Sequence, residues 1–431
     1  MKPIFPYRYR VLIFLFFLMF ITYLDRISIG FVSNQIKTEF GLSYTQWGWV
    51  AAAFSLAYAL FEIPSGVWGD YIGQRATFIR IVLWWSLFTA LTGLATGFIS
   101  LLLIRFLFGM GEAGAFPNSA AVISKWFPAQ ETSRGISIAW SGMNVGAAVA
   151  PFIVIGIAGA YGWRSTFFVN GFIGIAWVLV CLFWFKNNPS EMKKISKEEK
   201  TFIESNRRYS DHRLKYPWKK ILKNRSLLAL LISFSTSQCA NYFFLAWGQI
   251  YLRDAKHFSS DEIKWTYFIG YSLAAIACFF SGHLCDWLIK TKGIRFGRRS
   301  LGFTILAMTG LAILTQPYIS NHMIISGLFI IGITFYSSIG IPSYGTCVDI
   351  GGSRAATVSG IMNFCGQFTA FLFVLFFGKI VDALGFAVPV YMLAVALLTG
   401  SLLWFFVDPS KPLVVHEKEK ARPVLNQLEL G

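Results

Sequence analysis

The chain has 431 residues, of which 55% are hydrophobic, 17% aromatic and 14% charged, whereas a soluble domain of this size carries roughly a quarter charged residues. Runs of about 20 apolar residues, the length that crosses the hydrocarbon core of a bilayer, recur from end to end, which excludes an ordinary soluble protein. The formal net charge of +17 comes from basic residues crowded into short loops between apolar runs, the pattern of cytoplasmic loops, so a lipid bilayer and no nucleic acid is the expected large partner.

In chain order, the apolar runs predict an all-α membrane protein of twelve transmembrane helices. Six cover residues 11–31, 46–67, 77–97, 100–123, 135–158 and 166–185, and six more cover 227–251, 263–286, 300–317, 322–347, 356–379 and 387–407. The first run has basic flanks and no small-residue cleavage site, so it reads as a retained span and not as a signal peptide. The grouping divides the chain into an N-terminal six-helix bundle (1–185), a linker (186–226), a C-terminal six-helix bundle (227–407) and a tail (408–431). The linker is polar and strongly basic, with a short amphipathic helix expected around Ser196–Asn206. It reads as a solvated connector whose charge sets topology and meets anionic lipid headgroups.

An even number of spans puts both termini on one side. The terminal segments (Lys2, Arg8, Arg10; Lys411, Lys418, Lys420, Arg422) and the linker are basic, while the other side holds mainly Lys37, Arg164, Arg253 and Lys256. Both ends are therefore expected in the cytoplasm of a multi-pass protein of the cell (inner) membrane. The six cysteines show no paired spacing, which argues against a disulfide framework or a metal site.

Between the second and third spans stands "SGVWGDYIGQRAT", where Gly66, Asp70, Gly73 and Arg75 form a G-x(3)-D-x(2)-G-x-R pattern. The matching place in the second half, "SGHLCDWLIKTKGIRFGRRS", repeats it with Gly282, Asp286, Arg298 and Arg299 and a longer insertion. The 6+6 layout and this repeated loop resemble the major facilitator superfamily across essentially the whole chain. "YLDR" (23–26), "RFLFGMGEAGAFPN" (105–118), "KWFPAQETSRG" (125–135), "GWRSTFF" (162–168) and "SGIMNFCGQF" (359–368) further resemble its anion:cation symporter family, which includes bacterial sugar-acid and hexuronate transporters, sialin and the vesicular glutamate transporters. The resemblance implies the major facilitator fold. Asp70, Arg75, Arg134 and Asp286 are expected to hold and switch the cytoplasmic gate without touching substrate.

Charges inside the spans carry the functional argument. A charged side chain at mid-membrane costs on the order of 2.5–3.5 kcal/mol on insertion scales, and it survives where it faces a partner or a watery cavity. Arg105 and Glu112 are seven residues apart, hence on nearly one helix face and about 10.5 Å apart along the axis. They are too distant to pair and instead bracket one cavity. Asp25 and Arg26 on the first span point about 100° apart, so one can meet the fourth span while the other faces the opening between the bundles. The resemblance implies proton coupling for Asp25 and Glu112, and anion binding for Arg26 and Arg105. Glu62 is a third acid, placed towards the cytoplasmic end of the second span.

The seventh, tenth and eleventh spans carry no mid-depth charge but many hydrogen-bonding groups: Gln238, Asn241, Tyr242, Trp247, Tyr336, Ser337, Asn363 and Gln367. Of these, Asn241, Tyr242, Asn363 and Gln367 are the expected substrate contacts, with Tyr23 and Tyr58 closing the site from the first half. The vesicular members place an arginine on the seventh helix; none stands in "SFSTSQCANYFFLAWGQIYL", which points to the bacterial sugar-acid branch. His283 and His322 read as satisfied or solvated. No nucleophile elbow, zinc-protease motif or phosphate loop occurs, so no enzyme is expected. The reading is a monomeric, proton-coupled symporter of a small organic anion, with no cofactor besides the coupling proton. Transport of a larger carboxylate such as a siderophore, in either direction, and uncoupled uniport stay open as alternatives. The Gly-Pro-rich element of drug antiporters is missing from the fifth span.

Overall fold

The computed structural model describes residues 6–128, 131–192, 194–205, 224–351 and 355–411. Helices α1 (Tyr7–Phe31), α2 (Ser33–Phe40), α3 (Tyr44–Ile72), α4 (Gln74–Thr92), α5 (Phe98–Trp126, interrupted at Ala113–Gly114), α6 (Thr132–Tyr161) and α7 (Trp163–Trp184) build the first part. A linker helix, α8 (Lys197–Ser205), follows. The second part holds α9 (Arg225–Ala255), α10 (Ser260–Lys292), α11 (Ile294–Thr315), α12 (His322–Gly351), α13 (Ala355–Leu384) and α14 (Ala387–Leu403). Eleven of these helices are long and apolar enough to cross a membrane. The place of the third expected span is taken by α4, a 19-residue helix whose first two turns carry Arg75 and Arg80 and which is not among the eleven.

Several helices outrun the apolar stretches that announced them. Helix α10 has 33 residues, about 50 Å of rise against a hydrocarbon core of about 30 Å. Its extra turns are polar, and a capping box stabilises its start: Ser259 accepts from the Glu262 N–H, and Glu262 accepts from the Ser259 N–H. Ser43 and Gln46 cap α3 in the same way. Such caps satisfy orphan N–H groups at a helix end, so the helix continues beyond the membrane-facing run.

The repeated loop has a backbone cause. Gly73 alone separates α3 from α4, and Gly293 alone separates α10 from α11, with φ of 83° and 85°. An L side chain rarely adopts that conformation. The structural counterpart of Gly73-x-Arg75 is therefore Gly293-x-Arg295, and not the more distant Arg298 and Arg299. Arg75 donates to the Leu182 carbonyl at 2.5 Å, and its N–H donates to Asn187 Oδ1 at 2.8 Å, tying the start of α4 to the end of α7. Arg298 instead pairs with Asp349 at 3.0 Å.

Close helix crossings use small residues. A Cβ on Gly142 or Gly146 of α6 would stand 2.2–2.3 Å from the Phe16 or Phe20 carbonyl oxygen of α1, so two backbones meet here without intervening side chains. Helix α8, in the described part of the linker, docks on the first part through two buried residues, Glu199 and Ile203. Glu199 of α8 is buried and accepts the N–H groups of Tyr7 at 2.9 Å and Arg8 at 3.0 Å, capping α1 from 192 residues away. Arg8 pairs with both Glu199 (3.5 Å) and Glu131 (3.1 Å). Linker residues 206–223 and the basic residues Lys2, Lys418, Lys420 and Arg422 lie outside the described residues.

Gly293 has open space around a would-be Cβ, so Gly293→Ala tests backbone conformation free of any clash. We expect it to destabilise the fold by about 1–3 kcal/mol, read as a lowered midpoint of thermal unfolding in detergent.

Candidate functional site

The centre of the molecule gathers the four charges named from sequence. Helix α1 presents Arg26 to α5, and its Nε donates to Glu112 Oε1 at 2.5 Å; the two side chains are 4% and 0% exposed. Aromatic rings enclose the guanidinium, its Cζ lying 4.6 Å from the Tyr58 ring, 5.3 Å from Phe54, 5.4 Å from Tyr23 and 5.5 Å from Phe116. Each face can hold the cation through its quadrupole. The 100° offset along α1 turns Asp25 away from that contact. Asp25 is buried, and neither of its oxygens has a hydrogen-bond partner.

Arg105, one face of α5 and seven residues before Glu112, makes no ion pair among the described residues. Its Cζ lies 4.5 Å from Phe108 and 5.2 Å from Phe54, and its Nε is buried without a partner. Arg26 Nη2 and Glu112 Oε2 are likewise unpartnered. Buried polar atoms are normally satisfied, so a cluster of open donors and acceptors beside a small space marks a place where hydrogen bonds remain to be made. The space is bordered by Arg26 and Arg105 on one side and by Tyr242, Leu245 and Ala246 on the other. Its volume is about 20 Å³, room for about one water molecule.

The second part contributes neutral groups, most of them bonded to one another. The Tyr242 hydroxyl donates to Gln367 Oε1 at 2.9 Å, the Tyr336 hydroxyl to Asn241 Oδ1 at 3.2 Å, and Asn241 Nδ2 to Gln238 Oε1 at 3.1 Å. Asn363 Nδ2 donates to Glu62 Oε1 of α3, and its own Oδ1 accepts from the Tyr344 hydroxyl at 3.5 Å. The structure thus brings Tyr23, Asp25, Arg26, Tyr58, Arg105, Glu112, Asn241, Tyr242 and Gln367 around one centre, with Asn363 one turn below. Ser337 does not join them: its hydroxyl bonds back to the Ile333 carbonyl of its own helix at 2.8 Å. Trp247 packs towards the far end, against Phe377 with ring centroids 4.7 Å apart.

Asp70, Arg134 and Asp286 are exposed at the end of the molecule that bears the termini, and none makes an ion pair among the described residues. His283 bonds the Phe279 carbonyl at 3.0 Å and His322 meets Glu262 at 2.7 Å, both away from the centre. The six cysteines are free. Among the described residues no three His, Cys, Asp or Glu side chains group as metal ligands.

Two features escaped the sequence reading. One is the rank of Glu62, whose partner Asn363 is 301 residues away. The other is the path of α9, which contains π-helical turns at Phe243–Trp247 and Tyr251–Ala255. A π turn shifts the helical register locally, so a wheel drawn on the seventh span misplaces every side chain beyond Tyr242.

The end opposite the termini is shut. The N–H groups of Tyr44 and Thr45 donate to Asp382 at 3.2 and 2.6 Å, the Tyr44 hydroxyl donates to Asp254 at 2.9 Å, and Trp47 Nε1 donates to the Ala246 carbonyl at 3.4 Å. Lys37 of α2 reaches Asp254 at 3.8 Å with its Nζ 3.3 Å above the Tyr44 ring.

The profile of one protein family matches residues 15–374. The chain belongs to the Major Facilitator Superfamily. It is 28% identical to the probable sulfoacetate transporter of Cupriavidus necator, over 95% of this chain and 96% of that one. It is also 28% identical to the D-galactonate transporter of Escherichia coli, over 93% and 95%. The fold is shared with the crystal structure of a bacterial homologue of the human lysosomal transporter Spinster in an inward-facing and occupied conformation, at a TM-score of 0.71 and 22% identity over 94% of this chain and 97% of that one. This member of the superfamily is a multi-pass inner-membrane transporter and not an enzyme.

Burial of Lys37 lowers its amine to about 8, against the opposing pull of Asp254. A lysine in water titrates near 10.4, so any form in which Lys37 meets water binds more protons than this one between about pH 8 and pH 10. Raising the pH through that window therefore favours the contact seen here, and below it the bias against that contact is constant. We expect a cysteine placed at Ser33, buried in this structure, to be alkylated more slowly at pH 10 than at pH 8 once each rate is divided by that of a free thiol at the same pH, since the thiolate is the nucleophile. Lys37→Met should flatten that dependence.

Proposed function

We propose that the protein is a proton-coupled symporter of a small organic anion, working by alternating access with both termini in the cytoplasm. The observation that carries this reading is the unequal use of the two buried arginines: Glu112 occupies Arg26, while Arg105 has no carboxylate partner among the described residues and borders the central space. The names of the relatives, transporters of sulfoacetate and of D-galactonate, support an anionic substrate of this size.

Arg105 is the first contact for the substrate carboxylate, and Tyr242, Gln367 and Asn241 offer neutral hydrogen bonds to its remainder. Charge balance supplies the coupling. Among the charges of α1 and α5, two arginines and two carboxylates cancel in the empty site; one bound monoanion leaves that group one negative charge in excess, and one proton restores its balance. Glu112 is the natural acceptor, because its protonation frees the Arg26 guanidinium to bind the same anion. Asp25 is the second candidate, since an ionised carboxylate without a partner is costly in so apolar a place. The small central volume means that the site widens as it opens to either side, with the bonds of Tyr44, Thr45 and Lys37 released on the outer face and those around Asn363 on the inner. Asp70, Arg75, Arg134 and Asp286 serve the inner closure. Binding drives the change by differing between the two states.

Purified protein in liposomes with a trapped pH dye tests the reading against a panel including sulfoacetate, D-galactonate and D-glucuronate. One anion added outside should acidify the lumen without an imposed gradient. Glu112→Gln should reduce the rate by more than about tenfold, equivalent to about 1.4 kcal/mol. Anion exchange in the wild type without proton movement would replace symport with uniport.

A further inference from the structure

Glu62 is the one acid of the membrane core that the coupling scheme leaves unused. It lies one helical turn beyond Tyr58, about 6 Å along α3, and the Tyr58 ring lies against Arg26 at 4.6 Å. Across the molecule, Asn363 lies one turn before Gln367 on α13. The bond from Asn363 Nδ2 to Glu62 Oε1 therefore joins the two halves of the molecule one turn below the central site, on the side of the termini. A substrate whose carboxylate rests on Arg105 and Arg26 extends its far end towards this bond.

The chemistry waiting there is selective. Asn363 is already committed, donating to Glu62 and accepting from Tyr344, so the group on offer is the Glu62 carboxylate. It accepts hydrogen bonds from hydroxyls and repels a second anion. The cation that acts on it is Arg26, beyond the Tyr58 ring, and the facing helices add none: α9 has no Lys or Arg between Arg225 and Arg253, α12 has none, and α13 has none among its described side chains before Lys379. The relatives differ in this property, since sulfoacetate carries two negative groups and D-galactonate one.

We propose that Glu62 is a specificity-determining residue, which restricts substrates long enough to reach it to those with a single negative group and a hydroxyl-bearing far end. The proposal rests on the organic-anion reading above.

The test compares wild type, Glu62→Gln and Glu62→Ala in proteoliposomes with radiolabelled D-galactonate and galactarate, which share a carbon skeleton and differ by one carboxylate. Competition of galactarate against bound D-galactonate is measured in detergent as well, so that a variant unable to transport still reports. Wild type should prefer D-galactonate by at least about tenfold, and both variants should shift that ratio towards galactarate by about tenfold or more. Unchanged ratios in the variants, or a wild type that takes the two acids equally, would overturn the proposal. If wild type couples protons to another anion of the panel but takes neither hexose acid, the Glu62 proposal falls and the symport reading stands. If no anion binds or moves, both fall.

Discussion

The buried pair of Arg26 and Glu112 is the constraint on which the centre of the molecule depends. Two charges removed from water lose several kcal/mol of hydration each, and deleting one partner of such a pair commonly costs about 3–5 kcal/mol. The surroundings are built to hold it. Four aromatic rings line the guanidinium, and α1 lies against α6 through the glycines at 142 and 146, which lets the first helix sit deep in the bundle. The pair also sets the state of its neighbours. With Glu112 committed to Arg26, Arg105 Nε and both oxygens of Asp25 are left without hydrogen-bond partners.

The two halves of the molecule divide the work unequally. All four central charges come from α1 and α5, whereas α9, α12 and α13 supply hydroxyls and amides already bonded among themselves. Neutral groups that satisfy one another can exchange those bonds for a ligand at small net cost, while fixed charges provide long-range attraction. At the end away from the termini, the contacts of Tyr44, Thr45, Trp47 and Lys37 with Asp254, Asp382 and Ala246 close the path. At the other end the bond between Glu62 and Asn363 lies nearer the centre. A single α3 thus carries the contacts at the end away from the termini, part of the Arg26 cradle and an acid on the side of the termini, in succession along its length.

Much of this was legible in the residues. The apolar runs located eleven of the twelve expected spans, and α3 and α10 run past the stretches that announced them because capping boxes at Ser43 and Ser259 extend them beyond the membrane-facing segments. The buried charges announced themselves, since few structural uses justify two arginines and two acids in lipid. Helical geometry said that only one of Asp25 and Arg26 would meet Glu112, but not which. The loop repeat was visible, yet its partner residues were misassigned: the positive φ shows that Gly293 and Arg295, and not Arg298 and Arg299, stand where Gly73 and Arg75 do.

The sequence by itself determined the medium, the helical class and the identity of the central charges, because each follows from local composition and from the cost of burying charge. Tertiary structure alone decided the pairings. Arg26 with Glu112, Glu62 with Asn363 and Glu199 with the first turn of α1 join residues 86, 301 and about 190 positions apart. No periodicity within one helix encodes how that helix is rotated against another. The π turns of α9 add a register shift that only the packed backbone reveals. Rotation and register are settled by how side chains fit between helices, and that fit exists only once the whole chain has folded.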